Sequence, residues 1–481
     1  MKKSMVENSI YNIIYKVITA LYPLVAVSYV SHVLMSEKMG MVSYAQNIVS
    51  YFVVFAALGI PTYGIRETAV RAENKTERSQ LFGELFAINF LSTSVALLAY
   101  FFTVMSIDKF AASVALYFVA GLQIAFNYLN VDWFFQGMEE YKYISIRSII
   151  VKLIALIALP IAIRTPNDYI YYALIYCLAI AGNNIFNIIR IRNYISKPIG
   201  KIRLRRHMKS ISVLLMVSVA VEIYAMIDTT MLGFYCDDST VGCYSNAMKL
   251  TRMVNTTAAA IGAVLFPRLS VIYNNNNKEE FNKLVNMGIQ IMLMIAFPAA
   301  VGMILCSESI VMVLFGKTFL DAVPILRILA LMVPIVVCNT LMGGQVLVTT
   351  NQENKYVITV VIASAVNVIL NTMFIPKYGA SSAAFASLIS ELIDLVLYCF
   401  FARRNVILSF TPKYILSIFL PLALYASISI LIINSLISKM IIKLLVNIIA
   451  CGILYFGIGY IMGNETMRFC IGKIVLMSRR K

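Results

Sequence analysis

The chain has 481 residues, of which 60% are apolar and 13% charged, and it carries a formal net charge of +17. Soluble domains place charge on about a quarter of their residues, so this composition excludes a soluble globular protein and describes an integral membrane protein. The eight cysteines are scattered without a CxxC pair or a Cys/His cluster, so they signal neither a metal site nor a disulfide framework.

Only helices and closed barrels satisfy their backbone groups in lipid. Continuous apolar runs of roughly 20 to 27 residues suit helices, whereas barrel strands would be short and alternating. The expected fold class is therefore all-α. In chain order the runs cover about 10–35, 40–63, 81–105, 110–135, 144–163, 168–189 and 211–235, then 241–267, 284–306, 322–349, 356–376, 378–402, 412–436 and 440–463, about fourteen spans.

The first run is long, contains Lys16 and Pro23 and lacks a clear small-residue cleavage site, so it reads as a retained span. Asn8, Asn12, Lys16 and Thr19 recur at spacings of four, four and three, which gives that helix one polar stripe. The second run opens on Gly40-x-x-Ser43-x-Ala45, and the eighth on Gly242-x-x-Ser245-x-Ala247. That offset of 202 residues sets Lys249 opposite Asn47 and suggests duplicated halves. Between the sixth and seventh runs lies the basic segment 190–209, RIRNYISKPIGKIRLRRHMK, which reads as a linker between two bundles.

In the eighth run Asn246, Lys249, Arg252 and Thr256 share a helical face. A cation at the bilayer centre costs roughly 2.5–3.5 kcal/mol on insertion scales, so a pair is tolerated most easily where it lines water or meets anions. One reading is an internal salt-bridge network with Glu222 and Asp228 of the seventh run. The other is a cationic patch for an anionic ligand. If the stripes of the first and eighth runs face one cavity, Lys16, Lys249 and Arg252 form a basic chamber suited to phosphate, which Arg holds in a bidentate way and Lys as a point charge. Asp132, Glu222, Asp228, Glu391 and Asp394 are intramembrane carboxylates that could carry a coupling proton or ion.

Of the 40 Lys and Arg, 28 fall at the N-terminus or in loops after even-numbered spans and eight after odd-numbered ones, so both termini are expected in the cytoplasm. Cations spread over short loops suit an anionic leaflet, not nucleic acid. No nucleotide-binding glycine loop or metal motif appears, and the two histidines, His32 and His207, read as surface residues. Cys236 and Cys243 flank a short outer loop and are expected as free thiols.

The stretch NVDWFFQGMEEYKYISIRSII, 130–150, resembles the motif after the fourth helix of Wzx-type flippases, the polysaccharide-transport branch of the multidrug/oligosaccharidyl-lipid/polysaccharide exporter superfamily. Residues 40–69, 227–270 and 351–387 resemble the same family in order, and the likeness covers about residues 8–405. Met35 departs from it, standing where a glycine is common before the Gly40 turn, and Ala380-Ser381-Ser382-Ala383 replaces a more glycine-rich step.

The resemblance implies two related six-helix lobes, 1–189 and 211–402, joined by the cytoplasmic linker 190–210 and followed by two extra C-terminal helices in 403–481. It implies a transporter, not an enzyme, of the bacterial cytoplasmic membrane. Its work would be to flip polyprenyl-pyrophosphate-linked oligosaccharide units from the inner to the outer leaflet for O-antigen, capsule or exopolysaccharide synthesis. It would need no cofactor beyond a proton or sodium gradient, with a polysaccharide polymerase and glycosyltransferases as further partners. Asn12, Lys16, Asn47, Asn246, Lys249 and Arg252 are the substrate candidates on this reading, from their helix faces alone. The alternatives are a drug or organic-cation exporter of the same superfamily, which would favour a carboxylate-rich cavity, and a membrane glycan polymerase or ligase, which would carry a large outer loop.

Overall fold

The computed structural model describes residues 5–196 and 202–469. Among them every regular element is helical, as the composition requires. Two compact units divide the chain, Met1–Gly242 and Cys243–Lys481.

The first unit contains α1 (Met5–Ala57), α2 (Ile60–Val70), α3 (Lys75–Ser106), α4 (Val114–Ala125), α5 (Asp132–Gly137), α6 (Tyr141–Ala162), α7 (Tyr169–Ile180), α8 (Ile185–Ile191) and α9 (Arg205–Tyr235). The helix α10 (Asp238–Asn274) begins in this unit and continues into the second. The second unit adds α11 (Lys278–Leu305), α12 (Ala322–Leu341), α13 (Glu353–Tyr378), α14 (Ala380–Ala402), α15 (Pro412–Ile428) and α16 (Met440–Ile461).

In the first unit α1 is the central helix, packed against α3, α4, α6, α7 and α9. In the second, α12 packs on both α11 and α14, while α13 pairs with α14 and α15 with α16. The faces of α3 show how membrane helices sort their residues. Leu91, Val95, Leu98 and Phe102 recur at three- and four-residue spacing and are exposed, as a lipid-facing stripe must be, whereas Asn89, Thr93, Ala96 and Tyr100 on the other face are buried. Asn74 starts this helix by accepting hydrogen bonds from the Thr76 and Glu77 amides at 3.1 and 3.2 Å.

Fourteen spans are expected from the apolar runs; among the described residues ten helices are long and apolar enough to cross a membrane, or eleven if the bent pair Pro166–Ile180 and Gly182–Ile191 forms one span. The difference has local causes. The first two runs fuse into α1 and α2, the fourth contains the shorter apolar helix Val114–Leu129, and α10 carries the charges of the eighth run.

The join between the first two runs lies at Met35, whose φ of 62° and ψ of 178° interrupt α1. This region of backbone space belongs to glycine, and another residue there costs about 1–3 kcal/mol. Met35 is 47% exposed, so its side chain contributes little packing in return. Met35→Gly is expected to stabilise the protein by about 1 kcal/mol, seen as a higher midpoint in a thermal aggregation assay in detergent. An unchanged or lower midpoint would count against strain at this residue.

Just beyond the kink, the two duplicated glycines meet. A Cβ on Gly40 would lie 1.6 Å from the Asp238 carbonyl oxygen, and one on Gly242 would lie 2.2 Å from that of Ser36. Ser239 Oγ donates to Ser36 Oγ at 2.7 Å beside them. The repeated motif thus serves a close crossing of α1 with the start of α10, which only glycine permits.

Candidate functional site

Each candidate is positioned by its own helix, beginning with those of the first unit. The side chains of Asn12 and Lys16 lie outside the described residues. Thr19, one turn further along the same stripe, accepts a hydrogen bond from Lys152 Nζ at 2.7 Å, and Lys152 is buried. Lys152 is the third cation of α6, after Lys142 and Arg147, and lies deepest in its apolar stretch. It is now a candidate, because it extends the polar stripe of α1 onto α6.

Asn47 Nδ2 donates to Thr230 Oγ1 at 2.7 Å, and the Tyr51 hydroxyl lies 2.8 Å from the same oxygen. Thr230 in turn donates to the Met226 carbonyl at 3.1 Å, so its hydroxyl proton is committed and it receives those of Asn47 and Tyr51. Glu222 and buried Asp228 stand close enough to act electrostatically on Tyr51. Asn47 and these two α9 carboxylates, separate candidates in the sequence, therefore belong to one neighbourhood on α1 and α9.

Asp132 has a different setting. Its two carboxylate oxygens accept from Arg147 Nη2 at 2.8 and 2.9 Å, and Oδ1 also accepts from Asn187 Nδ2 at 2.8 Å. Arg147 donates a further bond to the Asn187 side chain. The result is an Asp–Arg–Asn knot that ties α5 and α6, both in the family-like stretch 130–150, to α8. Asp132 is therefore an ion-paired carboxylate.

His207 corrects the expectation of a surface residue: it is 2% exposed. Its Nε2 lies 2.7 Å from Glu84 Oε2 and its Nδ1 lies 2.8 Å from the Tyr63 hydroxyl. Glu84, only 1% exposed, also accepts from Arg206 Nε at 2.9 Å, the Arg203 amide at 2.9 Å and Gln80 Nε2 at 2.9 Å. The last residues of the basic segment are thereby fastened to α3. Tyr63→Phe removes one buried hydrogen bond from this cluster and is expected to cost about 1 kcal/mol. The measurement is a thermal melt followed by the single tryptophan, Trp133, which is buried in the same unit. An unchanged melt would mean the hydroxyl contributes nothing there.

In the second unit α10 carries the polar face predicted for the eighth run. Asn246 is fully buried, Lys249 is half-buried, and Arg252 and Thr256 are exposed. Lys249 and Arg252 lie near enough to act electrostatically on each other. Thr256 Oγ1 donates to the Arg252 carbonyl at 2.8 Å, and buried Thr251 to that of Ala247 at 3.0 Å, so these hydroxyls are used within the helix. Glu391 and Asp394 stand on α14, with Asp394 buried and Glu391 half-buried. Asn339 of α12 donates to the Glu391 side chain at 2.7 Å, a partner the sequence did not single out. Neither Cys236 nor Cys243 is in a disulfide.

Residues 5–273 match the polysaccharide biosynthesis protein family, and residues 187–452 match the lipid II flippase MurJ family. The chain is 26% identical over 187 residues to a protein of Haloferax volcanii described as a low-salt glycan biosynthesis flippase, a match covering 39% of each chain. The chain thus spans about two-fifths of that relative's length, and 46% of a membrane protein of Methanocaldococcus jannaschii. A protein described as an O-antigen transporter in Escherichia coli (strain K12) is 20% identical over 419 residues, covering 85% of this chain and 99% of that one. Among solved structures, the inward closed conformation of the lipid II flippase MurJ superposes with a TM-score of 0.74 at 17% identity, covering 96% of this chain and all of that one. At that identity the likeness is one of fold.

Proposed function

The chain belongs to the polysaccharide biosynthesis protein family, and from that membership we infer that it is a flippase that moves lipid-linked glycan units across the cytoplasmic membrane. The carrying observation is the family match over residues 5–273, joined to a MurJ match over 187–452. A transporter reading also accounts for polar and charged side chains held within helices that otherwise suit lipid.

The cargo on this reading is a polyprenyl-pyrophosphate-linked oligosaccharide, whose tail can stay in lipid while its pyrophosphate and hydroxyls need a polar route. Lys249 and Arg252 take the pyrophosphate, and Asn47 and Asn246 meet sugar hydroxyls; Asn12 and Lys16 keep that role on sequence grounds, and Lys152 joins them. The like-charge pair on α10 supports this, because phosphate is the anion that both side chains bind well. Transport proceeds by alternating access driven by a proton or sodium gradient, with Glu222, Asp228, Glu391 and Asp394 as coupling candidates. The bound, paired state of Asp132 favours a structural role for it over coupling. The lobes 1–189 and 211–402, the linker 190–210 and the helices of 403–481 are the proposed working parts. The distribution of basic residues supports cytoplasmic termini. A polymerase and glycosyltransferases act before and after this step, for O-antigen, capsule or exopolysaccharide.

Depleting the protein from its cell tests the reading. Lipid-linked oligosaccharide is expected to accumulate where only cytoplasmic-face reagents label it. Normal labelling from the outer face after depletion would contradict a flippase.

A further inference from the structure

A groove of about 410 Å³ runs along α11 from Ile289 to Ile304, walled by α12, by α14 and by Leu408 and Phe410 of the segment after α14. Every side chain that lines it is apolar or a thiol, so it offers nothing to a sugar or an ion. Its walls are other helices than α10, which carries the proposed pyrophosphate pair. The fifteen steps from Ile289 to Ile304 rise about 22 Å, more than the roughly 15 Å depth of one hydrocarbon leaflet. An extended acyl chain therefore fits along its length. Leu331 lines the groove and is 50% exposed, which opens it sideways to lipid.

The wall after α14 is held in place by a polar ladder. Residues 406–411 have no regular structure, and backbone outside a helix needs other partners at a membrane. Three amide side chains of α11 supply them, Asn282, Asn286 and Gln290, spaced by four on one face. Asn282 Oδ1 accepts from the Ile407 amide at 2.9 Å, and Asn286 Nδ2 donates to the Ile407 carbonyl at 2.9 Å. Asn286 Oδ1 also accepts from the Ser409 amide at 2.8 Å, and Gln290 Nε2 donates to the Ser409 carbonyl at 3.4 Å. Ile407 and Ser409 thus face the ladder through their backbone, and the alternate residues Leu408 and Phe410 line the groove.

The same end of the groove is basic. Leu395 and Cys399 line it four residues apart on α14, and the next such step reaches Arg403. Arg403 and Arg404 are exposed, and among the described residues neither has an ion-pair partner. The Arg403 guanidinium lies 4.1 Å from the centroid of the Phe400 ring, which holds it at the helix end.

We propose that this groove holds one acyl chain of a resident anionic phospholipid whose phosphate meets Arg403 and Arg404. Guanidinium groups bind phosphate in a bidentate way, and basic residues at the cytoplasmic ends of membrane helices attract anionic headgroups. The distribution of Lys and Arg supports a cytoplasmic setting for this end of α14. The inference goes beyond the flippase reading and does not rest on it.

The test is native mass spectrometry of the delipidated full chain titrated with phosphatidylglycerol or phosphatidylcholine. One phosphatidylglycerol per chain is expected, with a preference over phosphatidylcholine of about tenfold or more, because two cations meet its headgroup. Arg403→Gln with Arg404→Gln should abolish that preference. Val301→Trp fills the groove and should weaken retention of both lipids by about tenfold or more. Each variant is checked for a monodisperse elution profile. Should Val301→Trp fail to fold, a phosphatidylglycerol with a photoreactive acyl chain decides: it must label the native chain within 289–304 or 395–410. Equal retention of the two lipids by the native protein, an unchanged preference in the arginine variant, unchanged retention in folded Val301→Trp, or labelling confined to other helices overturns the site. Displacement of the phospholipid by polyprenyl phosphate at equal concentration overturns it too, and assigns the groove to a carrier tail.

Discussion

Gly40→Ala is expected to leave little folded protein. The new Cβ would lie 1.6 Å from the Asp238 carbonyl oxygen and 2.9 Å from the Gly242 nitrogen. The nearest obstacle is backbone, so no side-chain rotation relieves the clash, and α1 must separate from the start of α10. Overpacking by even one methyl typically costs 1–3 kcal/mol where neighbours can shift; with a carbonyl in the way the cost should exceed about 3 kcal/mol. The hydrogen bond from Ser239 to Ser36 would be lost in the same movement. Yield of monodisperse protein and the Trp133 melt provide the measurement. Native-like yield and melting would contradict the close crossing. Gly242→Ala should behave alike, because its Cβ would approach the Ser36 carbonyl oxygen at 2.2 Å.

Asp132→Ala is the second large effect. Arg147 has a side chain only 5% exposed, and its guanidinium makes two hydrogen bonds to Asp132. Removing the carboxylate strands a buried cation, and breaking such a pair from one side costs about 3–5 kcal/mol. Asn187 loses its acceptor at the same time. The double variant Asp132→Ala with Arg147→Met removes both charges, and should recover most of the loss because no unpaired ion remains. A single variant as stable as the native protein would mean that water reaches Arg147 and that the knot is not structural. A stable Asp132→Asn protein with normal assembly but no ion-driven transport would instead return Asp132 to the coupling candidates.

These residues also show what the sequence made legible. The all-α membrane class followed from unbroken apolar runs, because lipid permits little else for them. The flippase family was recognisable because the stretch 130–150 carries charged and aromatic residues whose contacts in one knot constrain them together. The repeated glycines were visible as an identity between Gly40 and Gly242, but their contact was not, since hydropathy says nothing about which helices cross. The kink at Met35 was equally hidden: apolar side chains continue through it, and only the backbone angle marks the break.

His207 failed for another reason. Its immediate neighbours are Arg205, Arg206 and Lys209, which describe a solvated basic loop, while the partner that buries it, Glu84, lies 123 residues away. Asn339 escaped notice because a single asparagine in an apolar helix is common, and its importance rests on a hydrogen bond to the next helix but one in sequence. Pairing across long separations is decided by packing, which composition and spacing do not encode.

The most direct test of the central claim is translocation of a labelled polyprenyl-pyrophosphate oligosaccharide in proteoliposomes that contain the native chain, Lys249→Ala or Arg252→Ala at matched protein levels. The account predicts transport by the native protein and its collapse in both variants. Absence of transport by the native protein with its cognate glycan would contradict the flippase, and native rates in both variants would contradict the phosphate-binding role of Lys249 and Arg252.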